Sequence, residues 1–179
     1  MFSFKKPRLT VVPPDEPTLA EQALGYLDDL YGLARHLTHS TTDAEDLVQE
    51  TYSRALAGAA RFQPGGNLRA WLLRILRNCF IDQARRKKVV LEIPDDTIEE
   101  RDEHWDAQQL DRLRFLTAGD IDRAVATLPV EMRFIVVLDA LGCSEAEIAD
   151  IARVATGTVK SRLSRARAKL RLALEEHRP

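Results

Sequence analysis

The sequence predicts an all-α protein: two small helical domains joined by an acidic linker, the C-terminal one a helix-turn-helix. Three observations carry this expectation. Apolar residues recur at three- and four-residue spacing in successive segments, several of them opened by capping residues. Charge is segregated: residues 1–90 hold 13 Lys and Arg against 10 Asp and Glu, residues 91–120 hold 3 against 10, and residues 121–179 hold 10 against 8. Finally, GTVKSRLSRARAKL at residues 157–170 sets five cations and no acid around an apolar stripe. The expected division is a disordered tail over 1–18, a helical domain over 19–90, a linker over 91–118 and the helix-turn-helix domain over 119–179.

In the first domain, Leu24, Leu27, Leu30, Tyr31 and Leu37 predict a helix over residues 19–39. Thr42 to Glu45 fits a capping box, and Leu47, Val48, Thr51, Tyr52, Ala55 and Leu56 repeat on one face of a second helix that ends near Ala60. RFQPGGN reads as a loop, with Asn67 as the N-cap of a third helix. That helix carries Trp71, Leu72, Ile75, Leu76, Cys79 and Phe80 on its apolar side and Arg74, Arg77, Asn78 and Arg85 on its polar side. Trp71 and Asn78, seven residues apart, share nearly one azimuth at the border of the core. An aromatic and an amide beside a cationic face suit a stacked, edge-bonded single-stranded base, although a core tryptophan and dipole-stabilising C-terminal cations look the same.

The acidic segment from Glu92 to Asp120 shows little apolar periodicity beyond a short helix near Trp105–Leu116. After it, Pro129 sits at an expected first helical position, and Met132, Ile135, Val136 and Leu138 supply packing. Ser144 to Glu147 is a second capping box, followed by the short apolar face of Ile148, Ala149, Ile151 and Ala152. A break near Arg153–Thr156 leads to the cationic helix, which gives a helix-turn-helix with the second helix as reader. Val159, Leu163, Ala166, Leu170 and Leu174 form its buried stripe. Lys160, Arg167 and Arg171 make one cation row, Arg162, Arg165 and Lys169 another, and Ser161, Ser164 and Ala168 lie between them. Such a cross-section suits a groove between two phosphate backbones, and a solvated surface helix shares its composition.

Composition excludes several classes. The 179 residues, 45% of them apolar, suffice for ordinary cores, while no apolar run is long enough to span a membrane. The polar, proline-rich N-terminus does not read as a signal peptide, so the expected location is cytoplasmic. Cys79 and Cys143 read as buried small hydrophobes rather than a disulfide or zinc site. No phosphate-cradling glycine loop, metal-ligand cluster or catalytic triad stands out, and His36 and His39 lack a third ligand, so neither enzyme, metal, cofactor nor small-molecule substrate is expected.

Three segments in order, DAEDLVQETYSRAL, FQPGGNLRAWLLRILRNCFIDQARR and EIADIARVATGTVKSRLSRARAKLR, resemble the signatures of bacterial sigma factors of the extracytoplasmic function (ECF) type in the sigma-70 family, over about residues 20–175. The resemblance implies a transcription initiation factor that binds core RNA polymerase and promoter DNA and is held inactive by an anti-sigma protein. It implies polymerase contacts at Asp43, Asp46, Leu47, Gln49 and Glu50. It places the opening of the downstream promoter element at Phe62, Asn67, Trp71, Arg74, Arg77 and Asn78. Reading of the upstream element as duplex falls to Thr158, Lys160, Ser161, Arg162, Ser164, Arg165 and Arg167. One departure is the turn ARVATG, where the family commonly has glycine and often proline; the expectation is either a left-handed or bridging conformation at Arg153 or a reshaped turn. The rival reading is a stand-alone helix-turn-helix regulator, which would leave the second and third helices without a purpose. A sigma-like interaction protein without promoter activity is a third, against which the basic faces argue.

Overall fold

A computed structural model of the chain describes residues 17–87 and 117–176. Its elements are α1 (Leu19–Leu24), α2 (Leu27–Thr38), α3 (Thr41–Ala57), a 3₁₀ turn (Ala59–Arg61), α4 (Leu68–Arg86), α5 (Ala118–Ala126), α6 (Val130–Ala140), α7 (Glu145–Ala152) and α8 (Thr156–Glu176). No strand occurs among the described residues. The expected tail and the short helix near residues 105–116 lie outside them.

Local chemistry accounts for the boundaries and corrects four expectations. The single helix over 19–39 is two helices, because α1 stops at Gly25 and α2 restarts after Tyr26, whose φ of −107° and ψ of 14° leave the helical region. The cap of α3 is Ser40 rather than Thr42: its hydroxyl accepts from the Asp43 N–H at 3.2 Å, and Thr42 already lies within the helix. α3 itself ends at Ala57, and the chain reaches Arg61 as a 3₁₀ turn. Pro129 is the N-cap of α6 and not its first turn residue, since its ψ of 144° is extended. Asn67 does cap α4, accepting from Ala70 N–H at 2.9 Å, and Ser144 with Glu147 closes the expected box on α7.

The two helical groups share one core. Leu30, Leu33, Leu47, Leu72, Leu73 and Leu76 are fully buried in the first group and are continuous with Ile135, Leu138, Ile148, Ile151 and Val159 of the second. A side chain of leucine size contributes roughly 1.5–3 kcal/mol when fully buried, so this shared apolar surface is the main attraction between the groups. Helix α2 packs on α6, and α4 packs on α7. Leu56, expected on the buried face of α3, is instead 51% exposed.

Polar contacts fix the alignment of this seam. Arg133 of α6 is buried, donating to the carbonyls of Ala126 and Leu128 in its own domain and to the His36 carbonyl and His39 Nε2 of the other. Arg69 of α4 bridges Asp29 at 2.6 Å and the Leu141 carbonyl at 2.5 Å. A guanidinium only donates, so His39 Nε2 must be the unprotonated acceptor. Burial foremost, then Arg133, His36 and Arg35, pushes the His39 pKa below its usual value. His36 is lowered for the same leading reason, partly opposed by Asp122 at 4.0 Å.

Both histidines thus bind protons more readily when the seam opens or the chain unfolds. Their contribution is complete above about pH 6.5 and is lost as pH falls from there through the lower pKa of the packed state. The urea midpoint is expected to drop between pH 7.5 and 5.5, and His39→Gln, which keeps a neutral acceptor, should reduce that drop.

Candidate nucleic-acid interface

On α4 the expected aromatic and amide do come together. Trp71 and Asn78 line one shallow cleft with Arg54, Gly58, Arg61 and Ile75. Phe62 tilts against Trp71 with ring centroids 5.2 Å apart and planes at 47°, which holds the indole at the cleft wall rather than wholly inside the core. Loop geometry sets this up. Gly65 has φ +79°, and a Cβ on Gly66 would come within 3.0 Å of the Gln63 carbonyl and 3.4 Å of the Phe62 ring, so the glycines let the loop fold tightly over Phe62. Arg61, Gln63 and Gly66 also line a neighbouring cavity of about 660 Å³ with Asn67, Trp71 and Arg74. Arg61 and Gln63 were not among the sequence candidates; their place beside the Pro-Gly-Gly turn was the available signal.

Arg74 and Arg77 do not form the open basic face expected of them. Arg74 pairs with Asp150 of α7. Arg77 is half-buried with its guanidinium 5.9 Å from the centre of the Phe134 ring of α6, and burial lowers its pKa. Both side chains point into the seam because α4 is covered on that side by the second domain.

The candidates on α3 divide. Asp46 and Gln49 are exposed, and Glu50 is partly exposed while pairing with Arg54 at 2.7 Å. Asp43 is held below the usual carboxylate range by hydrogen bonds from Lys87 and Ser40. Leu47 is fully buried, so it anchors α3 to the core and cannot present a contact face. Exposed Leu56 lies seven residues beyond Gln49, within about 20° of its azimuth, an apolar contribution to the same face that periodicity alone assigned to the core.

On α8 the apolar stripe docks as expected: Val159, Leu163 and Ala166 are buried and Leu170 packs beside them. The cation rows are more constrained than their azimuths suggest. Lys160 pairs with Glu145 at 3.6 Å and Arg167 with Asp139 at 3.0 Å, both at exposed positions. Exposed pairs of this kind contribute about 0–1 kcal/mol, so nucleic-acid phosphates can replace these acids. Arg162 differs: its side chain is 13% exposed and meets Glu131 at 3.3 Å, which removes it from the expected row facing a duplex. Thr158, Ser161, Ser164 and Arg165 remain partly exposed between and beside the rows, with Arg165 Nε donating to the Ser161 carbonyl at 3.2 Å.

Of the forms open to the turn before α8, it takes the left-handed one. Arg153 has φ 55° and ψ 48°, and the N–H groups of Arg153 and Val154 both reach the Ala149 carbonyl, closing α7 as glycine commonly does.

The profile for sigma-70 region 2 matches residues 24–89, and the profile for sigma-70 region 4 matches residues 118–170. With the two helical groups and the helix-turn-helix already described, the chain belongs to the sigma-70 family. Its relatives narrow this to the ECF sigma factors. It is 37% identical over 164 residues to the ECF RNA polymerase sigma factor SigE of Mycolicibacterium smegmatis, covering 90% of this chain and 63% of that protein. It is 35% identical over 158 residues to the ECF RNA polymerase sigma factor EcfG of Rhodopseudomonas palustris, covering 88% of this chain and 85% of that one. Among solved structures, the sigma factor RpoE in complex with the anti-sigma factor NepR from Bartonella quintana aligns with a TM-score of 0.68 and 33% identity, over 88% of this chain and 96% of that chain.

A non-glycine residue in the left-handed region costs roughly 1–2 kcal/mol, partly offset in an Arg-to-Gly exchange by the freedom glycine has when unfolded. Arg153→Gly is therefore expected to stabilise the protein by up to about 1 kcal/mol, read as a higher urea midpoint.

Proposed function

We propose that the chain directs core RNA polymerase to specific promoters, reading an upstream element as duplex with α8 and capturing unpaired bases of a downstream element with α4 and the loop before it. The observation that carries this reading is the presence of two chemically different faces on one chain. One is a cleft with Phe62, Trp71, Asn78 and Arg61; the other is a helix with small residues between cations. A repressor would need the second face alone. Asp46, Gln49, Glu50 and the exposed Leu56 form the polymerase-contacting side of α3, with Asp43 at its edge.

The energetics are consistent with melting without a nucleotide. Giving up a duplex stacking step costs about 1.4 kcal/mol, and stacking a base on an aromatic side chain returns about 1–3 kcal/mol. One or two captured bases thus offset the first steps of opening, and phosphate contacts add to them. The protein performs no covalent step of its own and needs no cofactor; phosphodiester synthesis belongs to the polymerase. A cytoplasmic location follows from that partner, and among the described residues no helix is long and apolar enough to cross a membrane. An anti-sigma protein is the expected regulator, supported by the relative solved with NepR.

The deciding experiment is transcription by bacterial core polymerase on a pool of genomic promoter fragments, where discrete transcripts dependent on this protein are expected. No transcripts, together with sequence-specific duplex binding by the protein alone, would favour the stand-alone regulator. Within that assay the labours should separate. Arg165→Ala is expected to weaken upstream-duplex binding about tenfold and lower its salt slope by about one, with core polymerase binding unchanged. Asp46→Ala should do the reverse, and equal loss of both activities in either variant would contradict the division.

A further inference from the structure

Three arginines from different elements converge on one carboxylate. Arg77 of α4 shares a narrow crevice with Glu131 of α6. Arg162 of α8 reaches the same carboxylate at 3.3 Å. That is longer than the roughly 2.7–2.9 Å of a tight charge-assisted contact, so neither partner is saturated. Arg153, exposed in the turn before α8, completes the group. Burial is the first cause that lowers the Arg77 pKa; Glu131 opposes it, and the nearby charges of Arg153 and Arg162 reinforce it. Among the described residues neither Arg77 nor Arg153 has an ion-pair partner, and Arg77 has only the face of Phe134 against it. Three guanidiniums against one carboxylate leave two positive charges, one of them on a half-buried side chain, where an unmatched charge is costly.

We propose that Arg77, Arg153 and Arg162 form a binding site for one dianionic phosphate group, free or as a monoester, which ties α4 of the first domain to the second. The charge count selects the ligand. A phosphate monoester carries about −1.5 to −2 at pH 7, whereas a nucleic-acid backbone phosphate carries about −1. Guanidiniums present planar forks of donors that match the oxygens of such a group. The arginine at the left-handed turn adds backbone strain that glycine would avoid, and it brings a charge that glycine would not supply. The site is separate from the faces proposed to meet DNA, since Arg77 lies in the seam and Arg162 in the crevice between α6 and α8.

The test is isothermal titration calorimetry of the full chain with inorganic phosphate, in chloride buffers of matched ionic strength. One saturable site is expected. Arg153→Gly removes the cation at a position where glycine is unstrained, so it should fold at least as well as the wild type while binding phosphate about five- to tenfold more weakly. Arg153→Lys, which keeps the charge, should lose about threefold or less. Arg86→Ala, which removes an exposed cation from the end of α4, should stay within about twofold of the wild type. Glu131→Gln, which frees Arg162, should bind about threefold more tightly. Glycerol 3-phosphate separates the two sources: tighter binding than inorganic phosphate assigns the site to an ester, and binding no tighter assigns it to the free ion. Absence of saturable binding, unchanged affinity in Arg153→Gly, an equal loss in Arg86→Ala, or equal binding of singly charged dimethyl phosphate would overturn the proposal.

Discussion

A buried guanidinium stands where the two domains meet, and the arrangement of the molecule depends on it. Arg133 serves the end of α5, the start of α6 and the end of α2 at once, through three carbonyls and one imidazole nitrogen. Taking such a cation out of water is costly unless its donors are met, and Nε alone is left without a partner. The attraction between the domains comes from leucine and isoleucine packing, which has no directional preference. Arg133, with Arg69 beside it, selects one alignment among the many that would bury similar apolar area.

Packing between the domains and within the second one engages most of the basic residues expected to meet nucleic acid. Arg74 and Arg77 lie in the seam, Arg162 in the crevice between α6 and α8, and Lys160 and Arg167 against acids of their own domain. Among the described residues, Arg74, Lys160, Arg162 and Arg167 are held in short-range pairs, so a phosphate that engages one of them must displace a carboxylate. The aromatic side of the α4 cleft carries no such cost: Phe62 and Trp71 are held by packing alone and need no exchange of partners.

Much of this was legible in the sequence because it rests on local rules. Asn67 and Ser144 cap the helices they precede, Val159, Leu163 and Ala166 are buried with Leu170 packed beside them, and Arg153 adopts the left-handed conformation that was one of the forms open to a turn without glycine. The misses share a different cause. On α3, Leu47 was expected at a contact and faces the core, Leu56 was expected in the core and faces out, and Arg77 and Arg162 have polar azimuths that another helix happens to cover. Periodicity tells which side of a helix is apolar, whereas which polar side is roofed over is decided by packing between residues tens of positions apart. The break at Gly25 and the cap at Ser40 are smaller errors, of one turn or less, at the boundaries where competing signals sit side by side.

One detail of the seam supplies a clock. Cys143 lies buried where the α6–α7 connection meets α4, its Sγ 3.8 Å from Arg69 Nη1, and burial raises its pKa above the ordinary thiol value. The reactive form of a thiol is the thiolate, so in the packed state this group is both shielded and largely protonated. Parting of the domains removes both protections together. The rate at which Cys143 takes up a thiol reagent therefore reports how often the seam breathes, with no label added to the chain. Cys79, more deeply buried and inside the first domain, serves as the internal reference for global unfolding.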